Sequence, residues 1–174
     1  MSGSGGNVVE GGERDRLLAE AVGLREAGRK EEARDRLVAL SSRFPQDVEV
    51  AYQTAWVHDT LGLEAEAVPY YERALAGAGL TEVDRRGALL GLGSTYRILG
   101  RYEEAVTTLS AAAAEFPDDG ALKTFLAMAL YNTGRTHDAM EMLLRLLAAT
   151  SDDPDIAGYR PAIEEYAKDL DAKV

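Results

Sequence analysis

The chain has no cysteine, five prolines, one tryptophan and two histidines. Without cysteine there can be no disulfide framework and no thiolate-held zinc. Two histidines as far apart as His58 and His137 make a poor start for any other metal site. Basic residues are in deficit, 19 Lys and Arg against 30 Asp and Glu, for a net charge of −11. They form no cluster along the sequence. A field of that sign repels phosphate backbones and anionic headgroups, so neither nucleic acid nor a membrane surface is an expected partner. No apolar run approaches the roughly 20 residues that a bilayer span needs. The opening "MSGSGGNVVEGGERDR" lacks the basic start and apolar middle of a secretory signal, and residues 1–12 read as a flexible tail. The expectation is an acidic, soluble, cytoplasmic protein. Its 174 residues, 46% of them apolar, suffice for a sizeable core, and abundant alanine favours helix over sheet.

One stretch invites a different reading. Residues 91–105, "GLGSTYRILGRYEEA", begin like a phosphate-binding loop. A dinucleotide loop needs a third glycine and a preceding strand. Here Tyr96 stands at the sixth position and the preceding residues have helical character. The stretch is instead one of four similar corners. Gly28, Gly62, Gly100 and Gly134 are each followed five residues later by an alanine: Ala33, Ala67, Ala105 and Ala139. A corner glycine supplies the left-handed conformation that ends a helix, where a side chain would be strained. The alanine lets the second helix lie close to the first. Leu37, Leu40, Tyr71, Leu75, Leu109, Leu143, Leu146 and Leu147 then recur at helical spacing. A hairpin with two apolar faces cannot bury both alone, so such hairpins stack.

The first and last pairs of corners are 34 residues apart, the period of the tetratricopeptide repeat. Pro45 and Pro117 lie where that repeat ends its second helix, and Ala21, Ala55, Gly93 and Ala127 take its small position in the first. Over about residues 14–150 the sequence resembles the tetratricopeptide repeat family, with wording similar to a bacterial subgroup. The resemblance implies an all-α, right-handed α-α superhelix of four hairpins, about 14–47, 48–81, 82–119 and 120–152, with a capping helix in 153–174. The middle spacing exceeds the period by four residues, and "GAGLTEVDRRGALL" absorbs them. Thr81 and Asp84 form a capping box that starts the third hairpin near Glu82. Asp153 and Pro154 begin the closing helix. Its apolar stripe is Ile163, Tyr166, Ala167 and Leu170, with Gly158 and Pro161 kinking it or delaying its regular part.

Residues that could carry catalysis do not assemble. His58 fills a slot that the repeat packs, and His58 and Asp59 point different ways on one helix, so they do not start a triad. Carboxylate pairs such as Glu31–Glu32 and Glu103–Glu104 sit at helix starts, where the dipole favours them. The chain reads as non-enzymatic, and no cofactor or metal is implied.

In the family the first helix of each hairpin lines a concave groove. Carried over, those positions hold Asp15, Leu18, Ala19, Val22, Arg25 and Glu26 in the first hairpin, then Glu49, Tyr52, Gln53, Trp56, Asp59 and Thr60. The third hairpin has Gly87, Leu90, Gly91, Ser94, Arg97 and Ile98, and the fourth has Ala121, Thr124, Phe125, Met128, Tyr131 and Asn132. The resemblance implies a protein- or peptide-binding scaffold whose groove uses Tyr52, Trp56, Asp59, Leu90, Ser94, Arg97, Met128, Tyr131 and Asn132. Arg25, Asp59 and Arg97 suggest a charge ladder with Asp59 paired to one or both arginines, or an Arg97 left free for ligand. Gly87 and Gly91 bare one strip of helix, either for a ligand backbone or for a neighbouring helix. Relatives that grip acidic chaperone tails use Lys, Asn and Arg where this chain has Leu18, Val22, Gln53, Gly87 and Gly91, so that role is not expected. The alternative is a self-associating module, a homodimer through the convex face or the closing helix.

Overall fold

In the computed structural model, which describes the backbone of residues 5–172 and the side chains of residues 12–172, every corner glycine separates two helices. In chain order these are α1 (Gly5–Glu26), α2 (Lys30–Arg43), α3 (Val48–Asp59), α4 (Glu64–Ala76) and α5 (Glu82–Ile98). There follow α6 (Tyr102–Glu115), α7 (Gly120–Asn132), α8 (Thr136–Thr150) and α9 (Pro154–Tyr166), with no strand among the described residues. The expected all-α class holds.

The corners share one construction. Gly28, Gly62, Gly100 and Gly134 have φ of 79°, 71°, 75° and 80°. The residue after each donates its N–H five residues back, Arg29 to Leu24, Leu63 to His58, Arg101 to Tyr96 and Arg135 to Leu130, at 2.9–3.0 Å. These bonds satisfy carbonyls that the helix end would leave orphaned. At three corners that following residue is an arginine paired to a carboxylate in the next helix's first turn: Arg29–Glu32, Arg101–Glu104 and Arg135–Asp138.

The expected small positions are buried, Ala33, Ala67, Ala105 and Ala139 in the second helices and Ala21, Ala55, Gly93 and Ala127 in the first. Leu37, Leu40, Tyr71 and Leu109 are buried as their spacing predicts, but Leu143 and Leu147 are exposed. They belong to α8, the last of the second helices, and α9 packs on α8 without covering them.

The chain divides into two compact units inside α5, between Thr95 and Tyr96. In the first, α2 packs on α1 and α3, α3 packs on α4, and α1 also meets α3. Its core gathers Leu18, Ala21, Leu37, Leu40, Val50 and Val57. Arg14 ties the start of α1 to that of α3, bonding Asp47 at 2.6 and 2.7 Å and Glu49 at 2.7 Å. Asp47 also caps α3, accepting the Val50 N–H at 2.9 Å. In the second unit α7 packs on α6 and α8, and α9 packs on α8. Asp119 caps α7 as Asp47 caps α3.

The extra residues fall where expected, since α5 starts at Glu82. The Thr81 hydroxyl accepts the Asp84 N–H at 3.1 Å and donates to the Asp84 carboxylate at 2.7 Å. Asp153 caps α9 with Pro154 at its first turn. Three expectations need correcting. First, of the two effects expected of Gly158 and Pro161, the delay does not occur, since α9 starts at Pro154 and runs through both. Second, it ends at Tyr166, so Leu170 lies beyond the helical phase; Tyr166 and Leu170 are exposed while Ala167 is buried. Third, α1 reaches back to Gly5, into the segment read as tail. Once nucleated, a helix gains one hydrogen bond per added residue, and α1 runs on through Gly12, Gly11, Gly6 and Gly5 although glycine is a poor helix former. Residues 1–4 of that segment lie outside the described ones.

Candidate binding faces

His58 is a satisfied core residue. It is buried, its Nδ1 donates to the Thr54 carbonyl at 2.7 Å, and its ring stacks on Tyr70 at 5.2 Å. Asp59 is not its partner. The Asp59 carboxylate accepts the Tyr71 hydroxyl at 3.2 Å, and burial raises its pKa above the ordinary aspartate range. His137 is on the surface, 2.8 Å from Asp171.

In the first unit the groove positions of α3 build a layered aromatic cluster. Tyr52 and Trp56, one turn apart, stack at 5.7 Å, and Tyr52 meets Tyr71 of α4 at 6.5 Å. From α1, the Arg25 guanidinium lies 3.4 Å over the Trp56 ring. A cation on an indole face is drawn by the ring quadrupole. Trp56 remains 39% exposed, whereas Tyr52 is buried behind it. Burial raises the Tyr52 and Tyr71 pKa values and lowers that of Arg25.

The two glycines of α5 find their reason here. A Cβ on Gly87 would overlap the Tyr52 hydroxyl, and one on Gly91 would overlap the Tyr71 ring. They are bare to admit tyrosines from α3 and α4, which settles that question for neighbouring helices. The same α5 face carries half-buried Leu90 and Ser94, whose hydroxyl bonds the Gly91 carbonyl at 3.0 Å.

The expected pairing of Arg25 with Asp59 does not form. Arg25 stands on Trp56, with its Nε and Nη1 buried and unpartnered, and Asp59 is taken by Tyr71. Desolvating two opposite charges side by side is costly, and a ring and a hydroxyl offer each a cheaper neighbour. In the second unit Arg97 reaches Asn132 at 3.5 Å, with a buried Nε left unpartnered.

On α7 the groove positions are open. Met128 is 41% and Tyr131 66% exposed, with Thr124 and Phe125 half-buried. No ring or cation among the described residues stacks on Tyr131. One concavity was not anticipated. A cleft of about 620 Å³ lies among α6, α7 and α8, lined by Ala113, Leu126, Leu130, Met142 and Leu146, with Lys123 at its edge. The signal for it is the small-residue run Ser110–Ala114 beside leucines. No helix among the described residues is long and apolar enough to cross a membrane.

A family model described as tetratrico peptide repeat matches residues 48–170. No curated protein matches. Among solved structures the chain is similar to MamA 41-end from Desulfovibrio magneticus RS-1, at 18% identity and a TM-score of 0.65, covering 91% of this chain and 97% of that one. It is also similar to pilF of Pseudomonas aeruginosa, at 20% identity and a TM-score of 0.64, covering 89% of this chain and 69% of that one. At these identities the likeness speaks for the fold alone.

Proposed function

The chain belongs to the tetratricopeptide repeat family, and from that premise we propose that it is a non-catalytic scaffold binding a protein or peptide segment through its first-helix faces. One observation carries the reading. The chain's only tryptophan, with Met128 and Tyr131, stays open to solvent at positions that the repeat directs away from its own packing. Large exposed aromatic and thioether groups are what interfaces over-use. In the first unit Trp56, Leu90 and Ser94 form the contact surface, with Tyr52 and Asp59 holding it from behind. In the second, Met128 and Tyr131 supply apolar contact, and Arg97 and Asn132 supply polar groups. Such open faces offer few deep pockets, so the affinity is on the order of micromolar, about −8 kcal/mol. Pull-down from the source cell tests the reading. Trp56→Ala and Tyr131→Ala should each lose partners that the wild type retains while keeping its helical circular dichroism. Retention at full strength by both would overturn it.

Self-association is a second reading, favoured by Met140, Leu143 and Leu147, an exposed stripe at helical spacing on α8, and by Tyr159 and Tyr166 on α9. Light scattering across a concentration series decides it. A mass that rises with concentration and reverts to the monomer in Leu143→Glu supports association, and a constant monomer mass removes it.

A further inference from the structure

Among the described residues Arg25 is the one Arg, Lys, Asp or Glu in the buried class, 8% exposed, and it has no ion-pair partner, the adjacent Glu26 acting on it only through space. Most buried charges are paired or hydrogen-bonded, because desolvation otherwise disfavours them. Here no acceptor is in place: Nε and Nη1 bond nothing, and Asp59 accepts from Tyr71. Trp56 compensates only one face of the guanidinium. A planar guanidinium lying flat on a ring keeps its N–H donors in its own plane, directed past the edge of the indole. An acceptor must therefore approach alongside Trp56; Nε and Nη1 are covered in the unbound chain, so it meets the remaining nitrogen, Nη2, first.

We propose that Arg25 receives a carboxylate of the bound segment, an Asp or Glu side chain, while an adjacent apolar residue of that segment lies on the exposed edge of Trp56. The inference rests on the reading of this face as a binding surface and adds the chemistry of what it takes. A neutral carbonyl would satisfy a donor but leave the charge uncompensated. A carboxylate answers both, bidentately where geometry allows. The apolar face of Trp56 flanks Arg25, so the segment that brings the carboxylate also meets an apolar contact beside it. That favours a carboxylate within a continuing segment over one at a chain end. The site is distinct from the tail-gripping positions of chaperone-binding relatives, which here hold Leu18, Val22, Gln53, Gly87 and Gly91.

Trp56 is the chain's only tryptophan, so its emission reports on the guanidinium stacked over it. The full chain is titrated with three peptides: acetyl-Ser-Leu-Asp-Leu-Ser-amide, the same peptide with Asn in place of Asp, and that Asn peptide with a free carboxy terminus. The expected result is a saturable emission change with the Asp peptide, at least tenfold tighter than with the Asn amide and weakening as salt is raised. In Arg25→Gln, checked for folding by circular dichroism, the tenfold preference should vanish. Equal response to the Asp and Asn amides, no saturable response to any peptide, or a preference surviving in Arg25→Gln each overturns the proposal. Selectivity for the free acid alone overturns the side-chain assignment in favour of a chain terminus. Should Arg25→Gln not fold, the Asp–Asn comparison on the wild type still decides. A result in which both amides bind alike leaves the scaffold reading intact, whereas that reading fails on partner retention by Trp56→Ala and Tyr131→Ala.

Discussion

The same groove positions end differently in the two units. On α3, Trp56 is covered by Arg25 on one face and stacked with Tyr52, which is itself packed against Tyr71. On α7 the equivalent positions present Met128 and Tyr131 to solvent without a stacked neighbour. The difference starts in the residues themselves, since α7 has Thr124 and Met128 where α3 has Tyr52 and Trp56, and its Tyr131 stands where α3 has Asp59; it is completed by what another helix withholds. Two tyrosines fit in the first unit because α5 has Gly87 and Gly91 where Cβ atoms would collide with them. Repeat proteins stack similar hairpins, yet a buried aromatic on one helix needs a missing Cβ on another to make room for it.

The comparison breaks most visibly at Tyr71. Fully buried, it should cost about 3–5 kcal/mol in urea denaturation when changed to Ala. A cost below about 1 kcal/mol would mean that the cluster is not packed as described.

Glycines sharpen it next. Gly91→Ala forces a methyl against the Tyr71 ring and should destabilise by about 1–3 kcal/mol, less the gain of roughly 1 kcal/mol that Ala brings to a helix interior. Gly23→Ala in α1 meets nothing within 4 Å and should instead stabilise by up to about 1 kcal/mol. Thermal midpoints moving in the same direction for both would erase the distinction between a glycine that admits a ring and one that does not.

Asp47 offers a pH test within the first unit. Burial alone would raise its pKa, but hydrogen bonds from Arg14 and from the Val50 and Glu49 N–H groups bring it below the ordinary value. A carboxylate depressed in the folded state stabilises fully above its unfolded pKa of about 3.9, and that contribution is lost as pH falls through the folded value. Asp47→Ala should therefore cost about 1–2 kcal/mol at neutral pH, with the gap to wild type closing below about pH 4. A gap independent of pH would leave the capping carboxylate out of the account.

The smallest effect on stability is expected at Tyr131. Its change to Ala should alter unfolding by no more than about 0.5 kcal/mol, so any loss of partner there reflects contact rather than folding.

Much of this architecture was legible before any coordinates. The corners were visible because a positive φ is a local demand that glycine meets and other residues resist. Helix starts at Glu82 and Pro154 were visible because Thr81, Asp84 and Asp153 satisfy backbone groups within three residues of themselves. The closing stripe was misjudged, since whether Tyr166 and Leu170 are covered depends on where α9 ends and what lies over it. The pairing of Arg25 with Asp59 fails for a related reason. Spacing along one helix does not show that Tyr71, twelve residues on in another helix, takes Asp59 first.

Sequence by itself determined the repeat, its turning points and the helices between them, because each rests on interactions spanning a few residues. Tertiary structure alone decided what Arg25, Tyr52, Trp56, Tyr71, Gly87 and Gly91 do. Burial, stacking and the absence of an ion-pair partner belong to side chains brought together from four helices, and no local pattern specifies that meeting.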